Sequence, residues 1–501
     1  MQEDYVFKTK PFAHQRERFY KYRDKEYHAH EWEQGTGKSK LIIDTACWLH
    51  GQGQIDALFI VSKNGVHRNW ILNEVPTHMP DYVEYDSAFY ASSPRAAERD
   101  ALKRVLNHTG LKIVAQNVES LSSKKGVDFL KSFLMTNRTL LVVDDADIKN
   151  HKAKRTVALI DLGVHAPYRR VLNGTPVTQG AMDVYSPYTF LDEQILGTSF
   201  YAFRNTYAIM KEIEVTDVRN PSTTRRVKVI DQFQNLDQLK EILDPHRDRV
   251  LKKDCLDLPE KLYQKRYVAL SAKQRAMYDT LKKHLVAELD GDYMTTPMAL
   301  TKLLRLQQIV GGFFVRDEEP VFDKDGQPVF SKAPEPIPIS DTNNRVDTLM
   351  DIADETEGKA IIWARFRAEI ALISAALRKK YGDAAVVEYH GGVDDKKRSE
   401  NIAKFQTPNS AARFFVGHVQ AGGKGLTLHA ASTVVYFSND FSLENRLQSE
   451  DRAHRIGQQK NVLYIDIVAQ DTIDDKIVET LRSKKNVADV LTGDEPLKRW
   501  L

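Results

Sequence analysis

The sequence predicts an α/β protein of two parallel-sheet lobes joined by a mostly helical region. Short apolar runs recur between helix-like stretches, as strands buried on both faces do. These runs fall into two sets, roughly 57–173 and 359–468, with a stretch of helical periodicity between them. A glycine-rich phosphate-loop pattern precedes the first set, which holds an apolar run that ends in paired carboxylates.

In chain order the strand-like runs are ALFIV (57–61), KIVA (112–115), TLLVV (139–143), RRVLN (169–173), KAIIWA (359–364), AVVEY (385–389), RFFVG (413–417), TVVYF (433–437) and VLYIDIV (462–468). Their alternation with helical segments points to βαβ units and parallel sheets. Residues 236–309 read as helical with few strand signals, LSAKQRAMYDTLKKHLVAEL and MALTKLLRLQQIV being the clearest cases. The five prolines within 316–343 mark a loop or insertion. The expected lobes are 1–255, with a helical extension after about residue 195, and 256–501, with a helical insertion at about 270–310.

A length of 501 residues and an apolar fraction of 42% allow several cores and argue against a disordered chain. Lys and Arg (72) nearly balance Asp and Glu (69), giving +3, so any grip on nucleic acid must rest on a local basic surface. Cys47 and Cys255 form no Cys-x-x-Cys pair, which excludes a zinc ribbon or disulfide framework. The N-terminal residues lack the apolar core of a signal peptide, and no apolar run approaches the roughly 18 residues of a membrane span. The expectation is a cytoplasmic enzyme with no membrane partner, a nuclear place being left open.

Three motifs carry chemistry. In EQGTGKSK (33–40), Gly35 and Gly37 let backbone amides around Thr36 turn toward a polyphosphate. Lys38 would neutralise the β/γ charge, and Ser39 would bind Mg²⁺. Taken alone, the string also fits a glycine-rich turn capping an ordinary helix. In LLVVDDADIKN (140–150), Asp144 would hold the Mg²⁺ sphere and Asp145 would orient the attacking water. In QSEDRAHRIGQ (448–458), Arg452 and Arg455 stand three apart, so a helix would place both guanidiniums on one face, suited to a γ-phosphate.

With these motifs in order, the chain resembles the Swi/Snf-type ATPases of helicase superfamily 2, which are double-stranded-DNA translocases. FAHQ (12–15) is similar to the adenine-recognising element, with Gln15 as its glutamine. FIVSKNGVHRNWILNE (59–74), IVAQNVESL (113–121), VLNGTPVTQGAMDVYSPYTFLDEQILG (171–197) and DRVLKKDCLDLPEK (248–261) resemble successive family segments. KAIIWARF (359–366), YHGGVDDKKRSENIAKF (389–405), AGGKGLTLHAASTVVYF (421–437) and DRAHRIGQ (451–458) continue the match.

The resemblance implies two RecA-like P-loop lobes with ATP between them. It implies Gln15, Gly35, Thr36, Gly37, Lys38, Ser39 and Gln448 at the nucleotide. Ser39 and Asp144 would be at Mg²⁺, and Lys38, Asp144, Asp145, Arg452 and Arg455 would be catalytic. Lys63, Asn69, Arg365 and His390 take the motif positions of DNA contacts. The implied function is a DNA-dependent ATPase moving on duplex or branched DNA, in replication, recombination or repair. Alternatives are a helicase that opens forks or migrates junctions, and a nucleotide-gated DNA-binding module with weak hydrolysis.

Two departures bear on that last alternative. Asp145 replaces the family's Glu and is one methylene shorter. Asp147 replaces a His that usually links this motif to the Gly-Thr-Pro segment. Three features take plainer readings. His28 and His30 lack zinc-protease spacing and should flank the strand entering the phosphate loop. RSKK (482–485) reads as a solvated helix face, and most Tyr and Phe as core.

Overall fold

A computed structural model describes residues 5–216, 224–255, 257–290, 296–315, 321–322, 328–329, 335–420, 426–492 and 494. The chain divides into two compact units. The first comprises residues 1–209, 232–258 and 484–496, and the second 210–231, 259–483 and 497–501. A single cut at 255/256 therefore misses two excursions. The hairpin of β7 (Ala208–Thr216) and β8 (Thr224–Phe233) forms its own two-stranded sheet. The end of the last helix, with Ala488 and Leu491, is buried in the core of the first unit.

The first unit is built on β1 (Tyr27–Trp32), β2 (Ala57–Ser62), β3 (Tyr85–Phe89), β4 (Leu111–Asn117), β5 (Thr139–Asp144), β6 (Tyr168–Leu172) and β9 (Arg247–Val250). They pair in the order β3-β4-β2-β5-β6-β1-β9, every pair parallel. Alternate residues feed two cores. Phe59, Val61, Leu141 and Val143 face one, and Leu58, Ile60, Leu140 and Val142 the other. This is why β2 and β5 read as unbroken apolar runs.

The second unit carries β10 (Lys261–Val268), β15 (Lys359–Ala364), β16 (Val386–Tyr389), β17 (Phe414–His418), β18 (Ala431–Tyr436) and β19 (Val462–Ala469). The order is β10-β19-β18-β15-β17-β16, again all parallel. Two short antiparallel ribbons, β11 (Phe313–Val315) with β14 (Pro336–Pro338) and β12 (Val321–Phe322) with β13 (Pro328–Val329), fall in and beside the proline-rich segment, whose other residues up to 334 lie outside the described ones. Among the described residues no helix is long and apolar enough to cross a membrane.

All nine runs taken as strands are strands, whereas β9 and β10 correct the helical reading of 236–309. Both are edge strands rich in charge, RDRV and KLYQKRYV, but Arg247 and Asp248 of β9 are buried and paired with Glu31, His30 and Trp32. The helices Ala272–Asp290 and Thr296–Val310 stand where that reading placed its two clearest cases. RSKK is partly corrected as well. Arg482 is exposed, but Lys484 Nζ donates to Gln179 Oε1 (2.5 Å), and Lys485 bonds Asp489.

The helix Leu443–Ala453 of the second unit is held by Arg446, which is buried on that helix. Its guanidinium donates to both carboxylate oxygens of Asp466 (2.5 and 2.9 Å), to Glu450 (2.9 Å) and to Asn439 (3.0 Å). It also lies 3.5 Å from the Tyr436 ring centroid. Glu450 further accepts from Tyr263 (2.9 Å) and Lys261 (3.3 Å), so the helix is tied to β10, β18 and β19. Removing one member of such a network leaves buried charge uncompensated. Arg446→Met should therefore cost the second unit about 3–5 kcal/mol. Chemical denaturation would read this as a lower midpoint; an unchanged midpoint would show that the network contributes nothing.

Candidate nucleotide site

Parallel pairing puts the carboxyl ends of the strands at one edge of each sheet, where α/β folds bind ligands. In the first unit Ser62, Asn117, Asp144 and Leu172 lie in register across that edge. The loop after β1 is the phosphate-loop motif. Gly35 and Gly37 have φ of 82° and 86°, the left-handed region that suits glycine. α2 (Lys38–Gly51) follows, with Gly37 at its N-cap and no side-chain cap, so its first amides are available to an anion.

α1 (Ala13–Tyr22) closes over this loop. Gln15, buried, donates from Nε2 to the Gly37 carbonyl (3.1 Å) and accepts the Phe12 amide at Oε1 (2.8 Å). A Cβ on Gly37 would fall 1.9 Å from Gln15 Nε2. Thr36 is fully buried, its hydroxyl donating to the Glu33 carbonyl (2.7 Å), while its own carbonyl meets His14 Nε2 (2.8 Å). Ser39 lies in the first turn of α2. The Lys38 ammonium rests on the carbonyls of Trp32 (2.7 Å) and Glu33 (3.4 Å).

Asp144 ends β5 and accepts Trp70 Nε1–H at Oδ2 (2.8 Å). Burial and then the Asp145 charge push its carboxyl up to about 7, while the Lys38 ammonium pulls the other way. A crowded pair of acids beside a lysine and uncapped helix amides fits a metal-bound polyphosphate, with Ser39 and Asp144 as oxygen ligands. Asp145 has φ 44° and accepts the Gly174 amide at Oδ1 (3.1 Å), so the second acid is itself bonded to the Gly-Thr-Pro segment. Asp147 turns away to Arg155 (2.6 Å). The link expected of the family's His falls to Lys149, which donates to the Thr175 carbonyl (3.0 Å) and to Thr178 Oγ1 (2.8 Å).

In the second unit the helix stops at Ala453, so Arg455 lies beyond it and does not share a helical face with Arg452. The two are brought together differently, since both guanidiniums donate to the Leu426 carbonyl (3.4 and 3.3 Å). Gln448 bonds Glu444 (2.9 Å). Residues 421–425 of the neighbouring motif lie outside the described residues. Of the DNA-contact candidates, Lys63 is half-buried, and exposed Asn69 donates to Glu74 (3.2 Å). Arg365 bonds Gln307, and His390 Nδ1 accepts the Gly392 amide (3.0 Å).

His28 and His30 stand inside β1, not beside it, on one face with Trp32. Trp70, Lys149 and Arg446 also went unassigned in the sequence, because each acts through a partner 20 or more residues away. Only Trp70 had a signal, its place in the Asn-Trp pair.

A phosphate loop, strand-end carboxylates and a second parallel unit with paired arginines define a P-loop nucleotide-binding core of two α/β units. The chain belongs to the SNF2-related family: residues 12–311 match the SNF2-related domain, and residues 344–457 the helicase conserved C-terminal domain. Similar proteins include the putative ATP-dependent helicase/translocase YwqA of Bacillus subtilis, 24% identical over 92% of this chain and 46% of that one. Others are the chromodomain-helicase-DNA-binding protein 1-like of Danio rerio (26%, covering 73% and 33%) and the transcription regulatory protein SNF2 of Saccharomyces cerevisiae (24%, covering 69% and 20%). The chain spans less than half the length of these relatives. A solved Sulfolobus solfataricus SWI2/SNF2 ATPase core in complex with dsDNA is 22% identical, covers 98% of this chain and 95% of that one, and has a TM-score of 0.41.

Two outcomes follow from this geometry. Gly37→Ala should cost about 1–3 kcal/mol, from positive φ and the collision with Gln15. In a double-mutant cycle with Gln15→Ala the two losses should not add, because the collision is gone; full additivity would show that the contact carries no energy. The second concerns acid. Burial pushes His28 down to about 3, against the bond to Asp248 and with the charges of His30 and Arg170. The unfolded chain takes up a proton near pH 6.5 that the folded chain refuses. Stability should therefore fall as pH drops from about 6.5 toward 3, by roughly 1.4 kcal/mol per unit from this residue. His28→Gln should flatten that slope in melts from pH 7 to 5, and an unchanged slope would count against it.

Proposed function

We propose that the chain is an ATP-driven motor on duplex DNA, hydrolysing ATP at the carboxyl edge of the first sheet. The observation that carries the reading is the convergence there of Lys38, after β1, with Asp144 and Asp145, at the end of β5, within an SNF2-related chain. Gln15 would hold the adenine, and the amides from Gly35 to Ser39 the phosphates. Lys38 would leave the Trp32 carbonyl for the β/γ-phosphates. Mg²⁺, held by Ser39 and Asp144, would supply charge neutralisation on the phosphate oxygens.

Asp145 would orient the attacking water, its shorter side chain steadied by the Gly174 amide. Arg452 and Arg455 would stabilise charge developing on the transferred phosphoryl. The Leu426 carbonyl that gathers both is a neutral partner, easily exchanged for phosphate. The DNA grip would be on phosphates, hence independent of sequence.

ATP hydrolysis should be measured alone and with duplex, single-stranded, forked and RNA ligands. Duplex should stimulate it, while Lys38→Ala and Arg455→Ala should each reduce it by at least about 100-fold. Stimulation by forks alone would favour junction remodelling. Nucleotide-dependent DNA binding without turnover would favour a gated binding module. Raising salt from 50 to 200 mM should weaken DNA binding by ~10-fold or more while leaving DNA-free hydrolysis largely intact; a salt-independent affinity would reject the phosphate grip.

A further inference from the structure

β1 runs directly into the phosphate loop, yet its face toward α1 is polar: His28, His30 and Trp32, all buried. One carboxylate answers all three. Asp248, on β9 and paired in register with His30, accepts His30 Nδ1–H (2.7 Å) and His28 Nε2–H (3.2 Å) at Oδ1. It accepts Trp32 Nε1–H (2.7 Å) at Oδ2. Arg18 of α1 brings its Nε to 3.8 Å from the same oxygen, and Tyr22 of α1 stacks on His28 with centroids 4.1 Å apart.

β1 and α1, which both touch the nucleotide loop, therefore converge on Asp248. Trp32 offers the carbonyl on which Lys38 rests, and its ring lies 5.4 Å from that of His14, whose Nε2 meets the Thr36 carbonyl. α1 carries Gln15 to the Gly37 carbonyl. The three N–H bonds account for the histidines without a metal. A metal bound to His28 Nε2 would put that ring's proton on Nδ1, a buried atom with no partner among the described residues. Arg18 would add positive charge beside it.

We propose that Asp248 is a positioning residue for ATP binding, holding the strand that leads into the phosphate loop and the helix that bears Gln15 as one preformed unit. The proposal rests on the ATP reading above. Asp248→Asn keeps the volume but replaces one acceptor with an NH₂ group, which must face an N–H donor of the array. Trp32→Phe removes a single donor and keeps the carboxylate, and so serves if Asp248→Asn does not fold.

The test uses the full chain, with DNA-stimulated kinetics, binding of a fluorescent ATP analogue, thermal melting and metal content. Asp248→Asn should raise KM for ATP and the analogue Kd about tenfold with kcat within about twofold, the signature of lost ground-state binding. Trp32→Phe should move both by a smaller factor. Lower melting temperatures with KM and Kd unchanged would overturn the proposal, leaving Asp248 only structural. Stoichiometric zinc in the wild type, lost in Asp248→Asn, would also overturn it. A wild type that binds the analogue without hydrolysis defeats the motor reading but leaves the Kd comparison decisive here; one that does neither defeats both.

Discussion

Parallel pairing is the constraint on which the rest of the first unit depends. Because every strand points the same way, the loops after β1, β2, β4, β5 and β6 must all emerge at one edge, whatever their sequences. Lys38, Asp144 and Gly174 are distant in the chain and adjacent in space for that reason alone. The cost is that the inner strands lose water on both faces. Apolar strands such as β2 and β5 meet this with Val, Ile and Leu, and β1 cannot.

β1 instead carries a buried polar group at most positions, and each is answered from a neighbouring element. Asp248 serves His28, His30 and Trp32 on one face. On the other, Glu31 accepts from Tyr188 (2.8 Å) and Arg247 (3.1 Å). Arg249 adds a third tie, donating to the Glu31 carbonyl (2.7 Å) and the Gly174 carbonyl (3.4 Å) while pairing with Asp494 (2.8 Å). Hydrogen bonds that tie several elements to one strand restrict its movement. Here they hold the approach to the phosphate loop, where a small displacement would misplace Lys38. The departures at 145 and 147 are met in the same manner, by the Gly174 amide and by Lys149.

The apolar strands and the phosphate-loop motif were legible in the sequence because their signals are local, a continuous run or a fixed spacing. β9 and β10 were not, and for β1 only a strand entering the phosphate loop was legible, not its inclusion of His28 and His30. YHAHEW, RDRV and KLYQKRYV are polar, and their burial or pairing is made possible only by partners far along the chain, Asp248 lying 218 residues from His30. The arginine pair shows a mixed case. Spacing brought Arg452 and Arg455 together in principle, but the helix ends between them and a backbone carbonyl does the gathering. Side chains that act through long-range partners leave no periodic trace, which is why the sequence assigns no role to Lys149 or Arg446.

The claim at the centre is that the carboxyl edge of the first sheet binds ATP through the phosphate loop. Isothermal titration of the full chain with ATP and Mg²⁺, beside Lys38→Ala, tests it most directly. One ATP per chain is expected, with affinity falling at least about tenfold, ~1.4 kcal/mol, in Lys38→Ala. Absence of binding, or equal affinity in the variant, would contradict it.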